Sequence, residues 1–401
     1  MFSLRSARSQ QQDPLLLEQD LLQQLGGLRQ PASLTLLFGQ HQLLAALAGQ
    51  SQLWQTSQCW LGGSSCLAGL SDQDLYLEGP AVAALQITDP AGHYGVGQAA
   101  LAPDVAVNLA VQQALSNAYQ QAQLDESVTP AMVWLYQAPG QEESVLQALI
   151  ALLGPQVPIF GGSSADDDLS GQWWQLCNGQ IGQSQLVIGV MVPSVEICGF
   201  FAAGYRLTGQ AARVTKLHDR EIIELDHQPA AEVYRRWLGN SPYSLFERTT
   251  ILSDSALHPL GRVVAEVNGV PVLLLSHPAY VEPDQRIGLF SQVHRGEQVH
   301  LLAGNHDELA GKAVDVAAET CARLLERGVI PRGGVLVFCA GSMLAIRPHV
   351  AEVLRQIHRQ LPELPFVVTF TFGEQGTFVD GQSRHGNLMI SAVIFGSSDA
   401  E

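Results

Sequence analysis

The 401-residue sequence is short of positive charge, of reactive motifs and of long apolar runs. Its 21 lysines and arginines stand against 38 aspartates and glutamates, a formal net charge of -17. That balance excludes broad contact with nucleic-acid phosphates or anionic lipid, and leaves small ligands and protein partners open. No segment reaches the roughly 18 unbroken apolar residues of a membrane helix. The start, Met1 to Pro14, carries Arg5 and Arg8 without the apolar run of a signal peptide. A cytoplasmic protein with no membrane insertion is the expectation. The six cysteines, Cys59, Cys66, Cys177, Cys198, Cys321 and Cys339, form no C-x-x-C pair and no zinc spacing, which points to reduced, buried thiols.

Catalytic signatures are missing too. There is no H-E-x-x-H and no G-x-x-x-x-G-K-[ST], and both Gly-Gly-Ser-Ser segments (62–65 and 161–164) lack the final glycine of a nucleophile elbow. Cys339 ends an apolar strand, with His349 or His385 as a conceivable base. Phe338 and Ala340 flank it and no cation stands near before Arg347, so a structural thiol is expected. Gly95-Val96-Gly97-Gln98-Ala99-Ala100 fits G-x-G-x-x-A, yet the next strand ends Tyr136-Gln137-Ala138 with no acid for ribose hydroxyls. A glycine-bearing strand is predicted there. The chain is expected not to be an enzyme, with a hydrolase or thiol enzyme as the lesser alternative.

What is present is globular and repetitive. A hydrophobic fraction of 46% is that of a folded protein, and the length suggests two or three domains. Residues 3 to 13 read as a mobile tail, and Pro14 opens a helix closed by Gly26-Gly27. The stretch Ile159-Phe160-Gly161-Gly162-Ser163-Ser164-Ala165-Asp166 has an earlier copy in Leu61-Gly62-Gly63-Ser64-Ser65-Cys66. Each copy follows an apolar strand and a helical pattern and precedes a strand ending in Gly and another apolar strand. This is the mark of an internal duplication, 33–88 and 131–192. A domain boundary is expected at 209–212, giving an N-terminal tail and helix (1–32), domains 33–212 and 213–396, and a C-terminal tail (397–401). The strongest helix begins near Asp307, with Leu309, Ala313, Ala317, Cys321 and Leu324 on one stripe and Gly328 as its cap. The last third repeats the same grammar with Phe372-Gly373-Glu374-Gln375-Gly376 where Gly-Gly-Ser-Ser stood, so the second domain reads as a diverged relative of the first. The fold class is α/β: two domains with mixed sheets from repeated β-α-β-β-β units, helices packed on the sheets.

Two readings of the glycine-serine corners stand. Gly62, Gly63, Ser64 and Ser65, with Gly161, Gly162, Ser163 and Ser164, offer backbone N–H groups and hydroxyls to an anionic group. Equally, each is a turn needing positive φ, with serine as a local cap. Asp166-Asp167-Asp168 either binds an amine or cation or forms a solvated acidic loop.

These corners, with Asn178-Gly179, His258-Pro259-Leu260-Gly261, Phe338-Cys339-Ala340-Gly341 and Phe372-Gly373-Glu374, resemble in their order the signatures of FIST proteins, across about residues 33 to 396. The resemblance implies a FIST N domain followed by a FIST C domain, acting as a bacterial sensory module rather than an enzyme. The layout is similar to that of a stand-alone subgroup that binds haem, senses nitric oxide and regulates a separate histidine kinase. Haem b is thus the implied cofactor, its iron the one metal, and a histidine kinase the implied partner. Two departures stand: the Pro-Leu-Gly segment, usually after an aromatic, follows His258, and Cys-Ala-Gly, usually before Arg, precedes Ser342. Candidate axial ligands are His258 and His277, both before a proline at strand ends, and then His93, with Arg262 as partner for a propionate. His41, His218, His358 and His385 read as surface residues. Glu374 joins the corner residues and Asp166 as ligand-binding candidates. The alternative is a FIST module that binds a small organic molecule such as an amino acid.

Overall fold

The computed structural model describes residues 1–27, 31–49, 51–72, 79–102, 105–239 and 247–398. The sequence also places a strand ending in Gly at 75–79 and a helix cap at Asp104; of these residues only Gly79 is among those described.

The chain is α/β, and the same order of elements occurs three times: lead strand, helix, inner strand, helix, corner strand, arm, closing strand. Unit 1 runs Ser3–Ser9, Pro14–Gln24, Ala32–Gly39, His41–Ala46, Ser57–Ser64, the short arm Leu70–Ser71, and Val82–Thr88. Unit 2 runs His93–Ala100, Val107–Gln121, Met132–Gln137, Glu142–Leu153, Ile159–Ser163, the hairpin Trp174–Cys177 with Gln180–Gln183, and Gln185–Val192. Unit 3 runs Glu196–Ala202, His306–Glu326, Ile330–Cys339, Val350–Gln360, Phe366–Thr371, the hairpin Glu374–Thr377 with Ser383–Gly386, and Ile390–Ser397. In every unit the inner strand pairs in parallel with its corner strand and antiparallel with its closing strand, which in turn pairs with the lead strand.

The arms are exchanged in a cycle. The arm of unit 2 completes the sheet of unit 1, that of unit 3 completes the sheet of unit 2, and that of unit 1 completes the sheet of unit 3. Residues 3 to 9, expected as a mobile tail, form instead the lead strand of unit 1, because the closing strand Val82–Thr88 offers them a full antiparallel edge. Between the lead strand and the first helix of unit 3 the chain leaves to build an insert, Arg206 to Ala303, whose described residues form a nine-stranded antiparallel sheet. Residues 209–212 lie inside its 13-residue strand Arg206–His218.

Strands buried on both faces read as near-continuous apolar runs, as parallel sheets require. Along Met132–Gln137, Trp134 and Tyr136 face the core shared by all three units, while Val133 and Leu135 face the helices of unit 2. The shared core is aromatic where inner strands approach, with Phe38 at 5.3 Å from Tyr136 and 6.3 Å from Trp134. Gly95 and Gly97 sit in a strand under the helix Val107–Gln121, where a Cβ would strike the carbonyls of Ala118 and Ala114. Close helix packing accounts for their spacing. The helix His306–Glu326 starts on a capping box of Asn305 and Glu308 and ends before Gly328 at φ +75°.

Candidate functional site

The fold brings the two Gly-Gly-Ser-Ser corners and the unit 3 segment Phe370-Thr371-Phe372-Gly373 to one junction. By register Ser64, Ser163 and Thr371 are equivalent, lying beside Gly39, Gln137 and Cys339 of the inner strands. Backbone bonds link them: Cys66 N donates to Phe370 O at 3.0 Å, Ala165 N to Ser64 O at 2.9 Å, and Ser163 N to Gly373 O at 2.8 Å. Glycine is needed because a Cβ on Gly62 or Gly161 would collide with the carbonyl of Leu37 or Leu135 on the adjacent strand. Gly63 and Gly162 are packed against the Tyr136 ring and the Thr371 side chain.

The corner serines are buried and their hydroxyls are turned to the protein. Ser64 Oγ accepts from Trp174 N at 3.0 Å; Ser65 Oγ donates to Ala68 O at 2.7 Å and accepts from Phe370 N at 2.8 Å. Ser164 Oγ donates to Trp174 O at 3.0 Å, and Ser163 Oγ donates to Glu142 Oε1 at 3.0 Å. Asp166 closes its own loop, accepting from Leu169 N at 2.7 Å, Gly171 N at 2.7 Å and Gln172 N at 2.9 Å.

In front of this junction lies a chamber of about 450 Å³. Cys66, the run Asp166 to Leu169, and Phe372 reach it from the three corners, and Cys339 to Gly341 with Leu344 form another wall. The insert closes it with Leu252, Leu257, His277 and Phe290. The corner glycines and serines stand behind this lining. His277 is 4% exposed, its Nε2 lies 3.2 Å from Leu252 O, and its ring centroid lies 5.9 Å from that of Phe290. Burial pulls its pKa down to about 4 against the raising effect of that hydrogen bond, so the ring is neutral at pH 7. Burial likewise pushes the Cys66 thiol up to about 12, and the Cys339 thiol well above its ordinary value. Such thiols are weak nucleophiles. Behind Cys339 lies Glu374, wholly buried, accepting from Thr371 Oγ1 at 2.8 Å and Met389 N at 3.1 Å. Burial raises its pKa to about 8, more than these donors lower it.

Next to the chamber is a cluster the sequence did not reveal, a latch between insert and core. Arg220 Nη2 donates to Glu142 Oε2 at 2.6 Å and to Glu143 Oε2 at 2.5 Å, and Nη1 donates to Phe290 O at 2.7 Å. Glu143 Oε1 also accepts from Gln292 N at 2.6 Å and meets His385 Nδ1 at 3.0 Å. Burial alone would raise the Glu143 carboxyl; His385, Arg220 and the Gln292 N–H together hold it well below the usual range. His385, expected on the surface, is 3% exposed, because the unit 3 arm that carries it is paired into the sheet of unit 2. Glu142, Glu143 and His385 place ligand atoms within 4.8 Å of one another, a spacing a metal ion accepts, but the Arg220 guanidinium already supplies the positive charge. Two acids at a helix start read in sequence as dipole complements, and nothing local marks Arg220 as their partner.

The other candidates lie elsewhere. His93 is exposed, with Nδ1 at 3.2 Å from Ala122 O. His258 is half-buried in the insert, its N donating to Ser255 O and its carbonyl accepting from Tyr234 Oη. Arg262 pairs with Glu297 at 3.2 Å. Of the three histidines only His277 lines the chamber.

The FIST N domain family matches residues 33–228 and the FIST C domain family matches residues 230–377. An uncharacterized protein of Methanocaldococcus jannaschii is 30% identical over 135 residues, covering 31% of this chain and 26% of that protein. The match thus spans about a quarter of that relative's length. Among solved structures, cyanuric acid hydrolase from A. caulinodans aligns over 51% of this chain and 72% of its own at 10% identity and a TM-score of 0.28. T. maritima PurL complexed with FGAR aligns over 98% and 72% at 9% identity and a TM-score of 0.21. Scores this low carry no inference about this chain.

Proposed function

The chain belongs to the FIST family of sensory signal-transduction modules, and on that premise we propose that it senses a small organic molecule held in the chamber at the corner junction. The carrying observation is the chamber's construction: about 450 Å³, walled by all three corners on one side and by the insert on the other. That volume is within the range of small-molecule sites. A ligand touching both bodies stabilises one arrangement of them over another, which is what a sensor requires. The latch shares the wall: Arg220 holds the carbonyl of Phe290, and His277 N donates to Asn387 Oδ1 at 3.3 Å, two residues from His385.

Haem b with nitric oxide is the ligand pair implied by the family resemblance, and the lining suits it poorly. Its propionates would need cations, and the chamber presents Asp167 and Asp168 with no lysine or arginine among the described residues. His277 keeps Nδ1 open among the described residues, and Gly341 borders that edge, which leaves it more accessible to a small donor than to the plane of a macrocycle. A small organic ligand needs neither cations nor room for a macrocycle. We assign the receiving partner, on the same resemblance, to a separate cytoplasmic histidine kinase, which an autophosphorylation assay with and without this protein tests.

The chamber is tested by plugging it. In a thermal-shift and calorimetry screen of amino acids, amines and haemin, the ligand that stabilises the protein should lose its effect in Leu344→Trp, which fills the chamber from a half-exposed position. Undiminished binding in the plugged variant would place the ligand elsewhere. A sharp Soret band that moves with nitric oxide would restore the haem reading.

A further inference from the structure

The lining of the chamber also selects among small molecules, a point that rests on the sensing role proposed above. Much of the wall is apolar, with Leu252, Leu257, Leu344, Phe290 and Phe372. Both thiols in it are neutral at pH 7, since burial pushes Cys66 up to about 12 and Cys339 well above its usual value. His277 is neutral too, its pKa held down to about 4 by burial. Because Leu252 O can only accept, the proton of that imidazole is on Nε2. Its Nδ1 therefore keeps a lone pair, bordering Gly341 in the chamber wall and without a partner among the described residues. His306, the second imidazole of the lining, stacks on His349 at 5.9 Å between centroids.

The three aspartates differ in what they have left to offer. Asp166 is saturated by its loop. Asp167 ties two corners together, accepting from Leu67 N at 2.6 Å and from Gln40 Nε2 at 3.0 Å. Asp168, on the exposed rim, accepts from Ser170 N at 3.2 Å, and the side chain and backbone N–H of Ser170 hold its carboxyl below the usual range, so it is ionised. Among the described residues no lysine or arginine lines the chamber; Arg347, felt by the Cys66 thiol, stands outside the lining.

An anion entering here meets a carboxylate and no counter-charge, and an amino acid leaves its own carboxylate unmatched as it loses water. An ammonium group meets acceptors and two aromatic rings, which favour a cation. We propose that the chamber takes a small protonated amine with an apolar body and no carboxylate, its N–H groups directed at Asp168 and at the Nδ1 lone pair of His277.

Calorimetry of the full chain with three probes sharing one body separates the possibilities: phenethylamine, L-phenylalanine and 3-phenylpropionate. The amine is expected to bind at least tenfold more tightly than either carboxylate-bearing probe, and Asp168→Asn, a change at an exposed side chain, to weaken it by roughly tenfold. Equal or tighter binding of the amino acid or the acid overturns the amine assignment while leaving the chamber as a receptor. So does an amine affinity unmoved by Asp168→Asn. Failure of phenethylamine, cyclohexylamine and putrescine alike to bind at millimolar concentration also overturns it. Amine binding that persists in Leu344→Trp removes the chamber itself, a different failure.

Discussion

The chamber and the latch are neighbours at the same junction of insert and core, and they are opposite in chemistry. Phe290 lines the chamber and Gln292, two residues on, holds Glu143; His385 meets Glu143 and Asn387, two residues on, lines the chamber. In the latch charged oxygens and nitrogens meet partners at 2.5 to 3.0 Å. His385 Nε2 of the latch is buried against Gly373 without a partner among the described residues; in the chamber a carboxylate and an imidazole nitrogen instead face a cavity. Paired charge fastens two bodies together, and open valence that faces a cavity is what the proposed ligand would meet.

Three measurements bear on that contrast. The largest effect is expected where both regions share a root, the unit 2 corner. Gly161→Ala forces a Cβ into the carbonyl of Leu135 and displaces Ser163, which bonds Glu142 of the latch. A loss of more than about 4 kcal/mol in urea unfolding is expected, large for a point substitution; a loss under about 1 kcal/mol would mean the corner tolerates a side chain. Second, Arg220→Met leaves Glu142 and Glu143 without their cation, which in buried pairs costs about 3–5 kcal/mol. A near-neutral result would show that the latch fastens nothing.

The third and smallest effect is in pH, where the two regions pull in opposite directions. Glu143 has a depressed folded pKa, so its stabilisation is present at neutral pH and is lost as pH falls through the carboxylate range. Glu374 is raised from 4.5 to about 8: the folded state holds its proton longer than the unfolded state, and stability is lost as pH rises between those values. His277, lowered from 6.5 to about 4, gives the reverse slope, but only below pH 6.5. Between pH 6.5 and 8 the Glu374 slope is unopposed by His277, and Glu374→Gln should flatten a decline on the order of 1–2 kcal/mol. An unchanged slope in that variant would place the titration elsewhere.

Much of the fold was legible in the order of residues. The period of Leu309, Ala313, Ala317, Cys321 and Leu324 marked the long helix, and the doubled Gly-Gly-Ser-Ser marked two units outright. The third was visible as grammar, but the register sets Thr371, not the Gly373-Glu374 expected there, opposite the positions of Ser64 and Ser163. The start of the chain was misread because Ser3–Ser9 has the polar composition of a tail, and only a partner strand makes it a strand. The corners meet at one junction, and their hydroxyls are bonded to the protein around them.

By itself the sequence determined the repeated elements, the positions of the corners and the apolar faces, since periodicity records which side of a strand or helix is turned from water. Tertiary structure alone decided that arms are exchanged between units, that Arg220 meets acids 77 and 78 residues away and that His277 faces a cavity. The reason is physical: a burial pattern states that a face needs a partner and carries no record of which partner. A charged residue likewise looks the same in sequence whether water or another charge will satisfy it.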